Sequence, residues 1–140
     1  MFKDKKIIFA NIFYLLFFMA DSFVTSTGIS TGSSVEGDPV VIWLWSIFGQ
    51  DSLLLKLIYI AIIFSVSFIL YKKLSKFLGL LIPFSFGAGH MLGFTTWIFR
   101  YNNEFNSNLI FQLHAFLVPY GLFILAPILG LIITFFVRKI

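Results

Sequence analysis

The chain has 140 residues, of which 59% are hydrophobic and only 11% are charged, and its formal net charge is +4. Soluble domains are roughly half apolar and a quarter charged, so this composition, with a mean hydropathy of +0.98, excludes a water-soluble domain and indicates that lipid surrounds most of the surface. Cysteine is absent from the sequence, which excludes disulfides, thiolate metal sites and cysteine nucleophiles.

The basic residues indicate membrane topology and not a nucleic-acid surface. A nucleic-acid site needs basic residues gathered on one solvated face, so no nucleic-acid partner is predicted. Most of the lysines and arginines instead lie in short clusters at the ends of apolar runs: Lys3, Lys5 and Lys6; Lys72, Lys73 and Lys76; Arg138 and Lys139. By the positive-inside rule, the sequence predicts a multi-pass protein of the cell membrane with both termini and the 72–76 turn in the cytoplasm.

Four apolar runs predict transmembrane helices at about 7–26, 52–71, 77–99 and 109–137. Each is long enough for a bilayer crossing, which takes about 20 mostly apolar residues. The last run is longer than a straight crossing requires, so we expect it to tilt or to kink at Pro119 or Pro127. The predicted fold is an all-α membrane protein with four transmembrane helices, forming a single transmembrane domain over residues 1–140.

A short helix at about 39–48 is predicted between the first two transmembrane helices. Asp38 is a good cap, Pro39 suits the first helical position and Gly49 is a good stop signal. About nine apolar residues are too few to cross a bilayer, and Trp43 and Trp45 favour the headgroup level. The sequence therefore predicts an interfacial or re-entrant helix on the outer face, and leaves open whether it lies flat or dips into the bilayer.

Ionisable side chains of the membrane segments and the outer loop share the outer half of the bilayer. With a rise of about 1.5 Å per residue, two of them, Asp21 and His90, each lie about 20 Å along their helices from the cytoplasmic end. Such groups are costly to insert and are candidates for function. Depth alone thus predicts one outward-facing polar pocket, although it does not fix rotation about the helix axes: Asp21, Glu36, Asp38, Lys56, His90 and His114.

Several interpretations of this pocket remain open. Histidine and carboxylate are ligands for zinc, copper or iron, and the candidate metal ligands are His90, His114, Asp21 and Glu36, although a diagnostic spacing such as His-x3-His is missing. A proton or ion relay fits the same residue types. Acid–base catalysis has the groups it needs but no nucleophile motif, so no catalytic residue is assigned. The favoured interpretation is structural, with Asp21 and Lys56 forming an ion pair between the first two transmembrane helices.

Small residues mark a packing face on the third transmembrane helix. Gly87, Gly89 and Gly93 lie close together there, and the last two have the Gly-x3-Gly spacing that lets helix backbones approach closely. We expect this face to pack against another helix, either within the chain or in a partner.

Part of the sequence resembles a widespread family of small, uncharacterised prokaryotic polytopic membrane proteins. The likeness rests on Asp21-x3-Thr25, on Glu36-Gly37-Asp38-Pro39 and on Lys56, and covers about residues 8–75. Members carry Asp-x3-Thr late in helix one, followed by Glu-x-Asn-Pro, whereas this chain has Asp38 in place of the asparagine and a fourth helix that does not align. The resemblance implies that these residues form one unit with Asp21 near Lys56, and it implies no activity.

The predicted function is that of a small, non-catalytic accessory subunit in a larger membrane complex, such as a respiratory or metal-dependent oxidase assembly. Little of the chain projects into water, and no nucleotide or cofactor motif is present, so no cofactor of its own is expected. Its predicted partners are the lipid bilayer and other membrane subunits. The alternatives are an outward-facing ion or metal binding or transport protein and, third, a membrane-embedded enzyme with an Asp/Glu/His site at the outer face.

Overall fold

The computed structural model describes residues 4–30, 39–50, 52–101 and 124–139. Of these residues 94% are helical, and none lies in a strand. The helices are α1 (Lys5–Ser30), α2 (Pro39–Phe48), α3 (Leu53–Lys73), α4 (Lys76–Tyr101) and α5 (Ala126–Lys139). The predicted all-helical architecture is confirmed over these ranges.

Three helices are long and apolar enough to cross a membrane, at Lys5–Gly28, Leu53–Lys73 and Lys76–Thr95. They correspond to the first three predicted transmembrane helices. The fourth predicted helix is described only in its last part, as α5, and residues 109–123 lie outside the described ranges together with Pro119.

The ends of the helices follow the expected chemistry. α2 starts at Pro39 and ends at Phe48, and it is followed by Gly49 at a φ of 87°, a left-handed conformation that glycine adopts easily. The Ser52 side chain caps α3 by accepting the Leu55 N–H at 3.4 Å.

α1 extends four residues beyond its predicted end, into the Ser/Thr-rich segment. There the hydroxyls bond back to the helix: Thr27 Oγ1 donates to the Phe23 carbonyl at 2.9 Å, and Ser30 Oγ donates to the Thr27 carbonyl at 3.0 Å. The side chains therefore satisfy the helix locally and do not compete with it as they do in turns.

Helix α4 is the centre of the bundle and packs against α1, α3 and α5. Glycines allow these contacts. A Cβ at Gly87 would lie 2.6 Å from Phe13 Cδ1 and 3.0 Å from Tyr14 Cα, and a Cβ at Gly93 would lie 2.8 Å from Asp21 Oδ1. Two of the three predicted packing glycines thus lie where α1 approaches α4, and Gly89 is buried between them. The later glycine of α4 meets a later residue of α1, so the two helices run parallel to each other.

The start of α1, the α3–α4 turn and the end of α5 meet at one end of the bundle. Lys6 Nζ donates to the Arg138 carbonyl at 3.1 Å. The Tyr71 hydroxyl donates to Asp4 Oδ2, and Lys76 Nζ lies 3.9 Å from the same oxygen. The hydrogen bond from Tyr71 holds the pKa of Asp4 below its ordinary value. This end therefore brings Lys6 and Lys76, which belong to two of the basic clusters, close to one carboxylate.

Candidate functional site

The central feature of the candidate site is a contact between Asp21 on α1 and His90 on α4. Their Oδ2 and Nδ1 atoms are 2.8 Å apart, and the side chains are 20% and 19% exposed, respectively. The parallel course of α1 and α4 explains the contact, because residues at equal depth on two parallel neighbours can meet. Gly93, one turn beyond His90, leaves space for the carboxylate. The sequence placed both groups at the same depth, and the structure brings them together.

Aromatic rings surround the His90 imidazole. Its ring centroid lies 5.0 Å from that of Phe18, which meets it edge to face at 88°, and 6.0 Å and 6.1 Å from those of Tyr14 and Tyr59. These rings come from α1 and α3, so two neighbouring helices contribute apolar surface around His90. In such a low-dielectric setting a hydrogen bond between ionisable groups is stronger, and the loss of either partner is costlier, than in water.

The pair has two chemical possibilities. With His90 protonated and Asp21 ionised, the contact is an ion pair of zero net charge, which reduces the cost of placing either group in the bilayer. With the carboxylate on Nδ1, Nε2 is the nitrogen oriented for a further ligand, as in the carboxylate–histidine–metal arrangement of many metal sites. The first possibility is structural, and the second is functional.

Lys56 lies farther from the α3–α4 turn than the Asp21–His90 contact does, near the start of α3. Its Nζ donates to Ser26 Oγ at 3.2 Å, so α3 and α1 are hydrogen-bonded at this level. The structure thus assigns Asp21 a contact with His90 and Lys56 a contact with Ser26. The Asp21–Lys56 ion pair stays a prediction.

Other members of the predicted pocket lie outside the described ranges: Glu36, Asp38 and His114. Among the residues that the structure does describe, no group of three or more His, Cys, Asp or Glu side chains could hold a metal ion. The predicted metal site with Asp21, Glu36, His90 and His114 therefore stays a prediction.

Comparison with known proteins adds nothing to these residues. No family model, curated protein or solved structure matches this chain. The resemblance based on Asp21-x3-Thr25 therefore gains no support, and function has to be inferred from the side chains themselves.

A second polar cluster, which the sequence analysis missed, lies in the half of the bundle nearer the α3–α4 turn. Asn11 Nδ2 donates to the Ile7 carbonyl at 2.8 Å and to Ser67 Oγ at 3.0 Å. Ser67 Oγ in turn donates to the Gly79 carbonyl at 3.1 Å. The sequence signal for this cluster was an asparagine within an apolar membrane segment, a residue type that commonly bonds across helices.

Pro83 explains why Ser67 bonds to a main-chain carbonyl of α4. Proline has no N–H, so Pro83 cannot donate to the carbonyl four residues earlier, which is that of Gly79. In a bilayer an unpaired carbonyl costs several kcal/mol, and serine or threonine hydroxyls of neighbouring helices commonly satisfy it. Ser67, which is fully buried, does so here.

The opposite face of α3 points away from the bundle. Ile63 and Ser67 are buried, whereas Ala61 and Ser65, four residues apart, are exposed. Large apolar side chains flank these two small residues, among them Leu57 at 55% and Ile69 at 54% exposure. We call this surface, formed by Ala61, Ser65 and the exposed apolar residues beside them, the Ala61/Ser65 surface.

Proposed function

We propose that the chain is a non-catalytic subunit of a larger membrane complex. We further propose that the Ala61/Ser65 surface of α3 contacts a transmembrane helix of the partner. The observation that carries the proposal is the exposure of Ala61 and Ser65, one turn apart on the same surface. Two small residues at this spacing let another helix backbone approach closely, and the Ser65 hydroxyl can bond across the contact.

The uneven coverage of the spans supports α3 as the contact helix. In the most apolar window of each span, 11% of the residues are buried for α3, compared with 28% for α1 and 39% for α4. Lipid covers bulky apolar side chains well, but an exposed serine gains from a hydrogen-bonding partner that lipid tails do not offer. The partner that fits is a transmembrane helix with small residues and a polar side chain at matching depth.

The proposed topology has four crossings, with both termini in the cytoplasm. Contacts of Lys6 with Arg138, and of Asp4 with Tyr71 and Lys76, support a common side for the termini and the α3–α4 turn. The excess of lysine and arginine at this end supports the cytoplasm as that side. α2 then lies at the outer face, where its tryptophans suit the headgroup region.

Substitution on the Ala61/Ser65 surface of α3 tests the subunit proposal. We expect Ala61→Leu and Ser65→Leu to reduce co-purification with the partner about tenfold or more in a mild detergent, because each adds bulk between the helices. Their thermal unfolding should match that of the unaltered protein, since neither side chain contacts the bundle interior. Native mass spectrometry after gentle extraction from the membrane measures both partner content and stoichiometry.

Ile62→Leu is the matched control, because Ile62 is an exposed neighbour at 52% and keeps its apolar character. It should retain the partner. A free monomer in the unaltered sample, or full partner content in both leucine variants, would contradict the proposal.

A second candidate function, cation binding at the outer half, is favoured by the contact between His90 and Asp21. A carboxylate on Nδ1 fixes the imidazole so that Nε2 is the nitrogen available to a metal ion. Metal binding needs further ligands from elsewhere in the chain or from a partner, and His114 and Glu36 are the candidates that the sequence supplies.

Elemental analysis of the same gently extracted sample tests this second function. One zinc, copper or iron atom per chain, lost in His90→Gln, would support cation binding. His114→Gln separates the possible ligand sets, since it removes metal only when both histidines are ligands. A metal-free unaltered protein that also fails to bind added Zn²⁺ would reject the second candidate and leave Asp21–His90 a structural pair.

A further inference from the structure

The end of the bundle at the α3–α4 turn carries an excess of exposed positive charge. Asp4 is the one acidic side chain that the structure describes there, and it already accepts hydrogen bonds from the Tyr71 hydroxyl and the Lys6 main-chain N–H. One carboxylate cannot balance the six exposed basic side chains of this end, which we call the basic end: Lys5, Lys72, Lys73, Lys76, Arg138 and Lys139.

Contacts between distant parts of the chain hold this charge in one place. Lys6 Nζ donates to the Arg138 carbonyl at 3.1 Å, which joins the start of α1 to the end of α5. The Arg138 guanidinium lies 5.7 Å from the centroid of the Phe77 ring, which joins α5 to the start of α4. Lys76 Nζ lies 3.9 Å from Asp4 Oδ2, which joins the turn to the segment before α1. Together the three clusters reach the roughly four to eight basic residues typical of segments that bind anionic lipids, which none of them reaches alone.

The basic end lies at the depth of the lipid headgroups. Lysines stand at the ends of the three described helices that are long and apolar enough to cross a membrane: Lys5 begins the first, Lys73 ends the second and Lys76 begins the third. Long basic side chains at such positions keep their carbon stems along apolar surface and place the charged group at the interface. The anion that the charged groups meet at this depth is the phosphate of a phospholipid.

We propose that the basic end is a binding site for the phosphate groups of anionic phospholipids. A zwitterionic headgroup balances its phosphate with its own cation, so a surface with excess positive charge favours lipids of net negative charge. Arg138 is the residue best suited to hold the phosphate, because the Phe77 ring supports its guanidinium and the planar fork of N–H donors matches two phosphate oxygens. The lysines add attraction, each strengthening binding to an anionic surface roughly fivefold.

The inference is independent of the proposed function. It involves neither the Ala61/Ser65 surface nor the contact between Asp21 and His90, and it holds whether the chain is a subunit or a cation binder. Its tests therefore measure bound lipid, and leave partner and metal content aside.

Native mass spectrometry of the full chain in detergent, with equal amounts of phosphatidylglycerol and phosphatidylcholine of the same acyl chains, counts the lipids that stay bound. We expect the unaltered protein to retain phosphatidylglycerol about tenfold more than phosphatidylcholine. Lys72→Gln and Lys73→Gln in one chain should reduce this preference about fivefold or more, because two attracting charges are lost. Thermal unfolding should not change, since both side chains are exposed and the contacts of Asp4 are kept.

Lys72→Arg and Lys73→Arg in one chain form the matched control, because both positions are altered and both charges are kept. This control should bind phosphatidylglycerol as the unaltered protein does. Equal retention of the two lipids by the unaltered protein, or an undiminished preference in the double glutamine variant, would overturn the proposal.

Inorganic phosphate offers the same chemistry as a headgroup, so a competition experiment distinguishes the two sources. We expect added phosphate to displace no more phosphatidylglycerol than sodium chloride does at the same ionic strength, because both salts screen the charges equally. Greater displacement by phosphate than by chloride would assign the basic end to soluble phosphate and reject the lipid.

Discussion

Replacing Gly79 with alanine is expected to destabilise the protein by about 3 kcal/mol, the upper end of the usual cost of overpacking. A Cβ at this position would lie 2.5 Å from Tyr71 Cα and 2.6 Å from Tyr71 N. Main-chain atoms cannot rotate out of the way, so α3 and α4 would have to separate at their turn. Separation would also stretch the bond from Ser67 to the Gly79 carbonyl.

Unfolding in mixed micelles, followed by circular dichroism, measures this loss. Gly87→Ala is the informative comparison, because its added methyl meets mainly the Phe13 ring, with backbone no nearer than 3.0 Å. A ring can turn aside, so we expect a smaller loss there. Leu78→Ala, at an exposed neighbouring position, should have little effect. A Gly79→Ala protein as stable as the Leu78→Ala protein would show that the close approach of the helices is not needed.

The second large effect is expected at the pair of Asp21 and His90. Asp21→Leu and His90→Phe each replace one partner with an apolar residue of similar volume. Breaking a fully buried pair costs about 3–5 kcal/mol, and because the side chains keep 20% and 19% exposure we expect about 1–3 kcal/mol for each change. The double variant should recover much of the loss, since no uncompensated charge remains.

A double-mutant cycle measures the coupling between the two residues. Coupling of about 0.5–3 kcal/mol is usual for residues in contact. The same cycle between Asp21→Leu and Lys56→Met tests the ion pair that the sequence predicts. If the free-energy changes at Asp21 and His90 simply add, while those at Asp21 and Lys56 are coupled, then Asp21 pairs with Lys56. That result would contradict the contact between Asp21 and His90 described above.

Much of the architecture was accessible from the sequence because its signals are local. Apolar run length located three helices that are long and apolar enough to cross a membrane. α1 continues to Ser30 although serine and threonine usually favour turns, because the hydroxyls of Thr27 and Ser30 bond back to the helix.

The candidate site was only partly accessible, for a geometric reason. Depth can be counted along a helix, and this count predicted one level for Asp21 and His90. Rotation about the helix axis depends on packing between helices, so depth could not show that Asp21 meets His90 and that Lys56 meets Ser26. Asn11 was visible as a polar residue in an apolar run, but its partners on α3 come from a distant part of the sequence.

The proline in α4 has a consequence for how the protein enters the membrane. A lone α4 in lipid would carry the bare carbonyl of Gly79, at a cost of several kcal/mol. Ser67 of α3 removes this cost, and only a short turn separates the two helices. The α3–α4 hairpin, and not the single helix, is therefore the smallest insertion unit in which this stretch of backbone is satisfied during biogenesis.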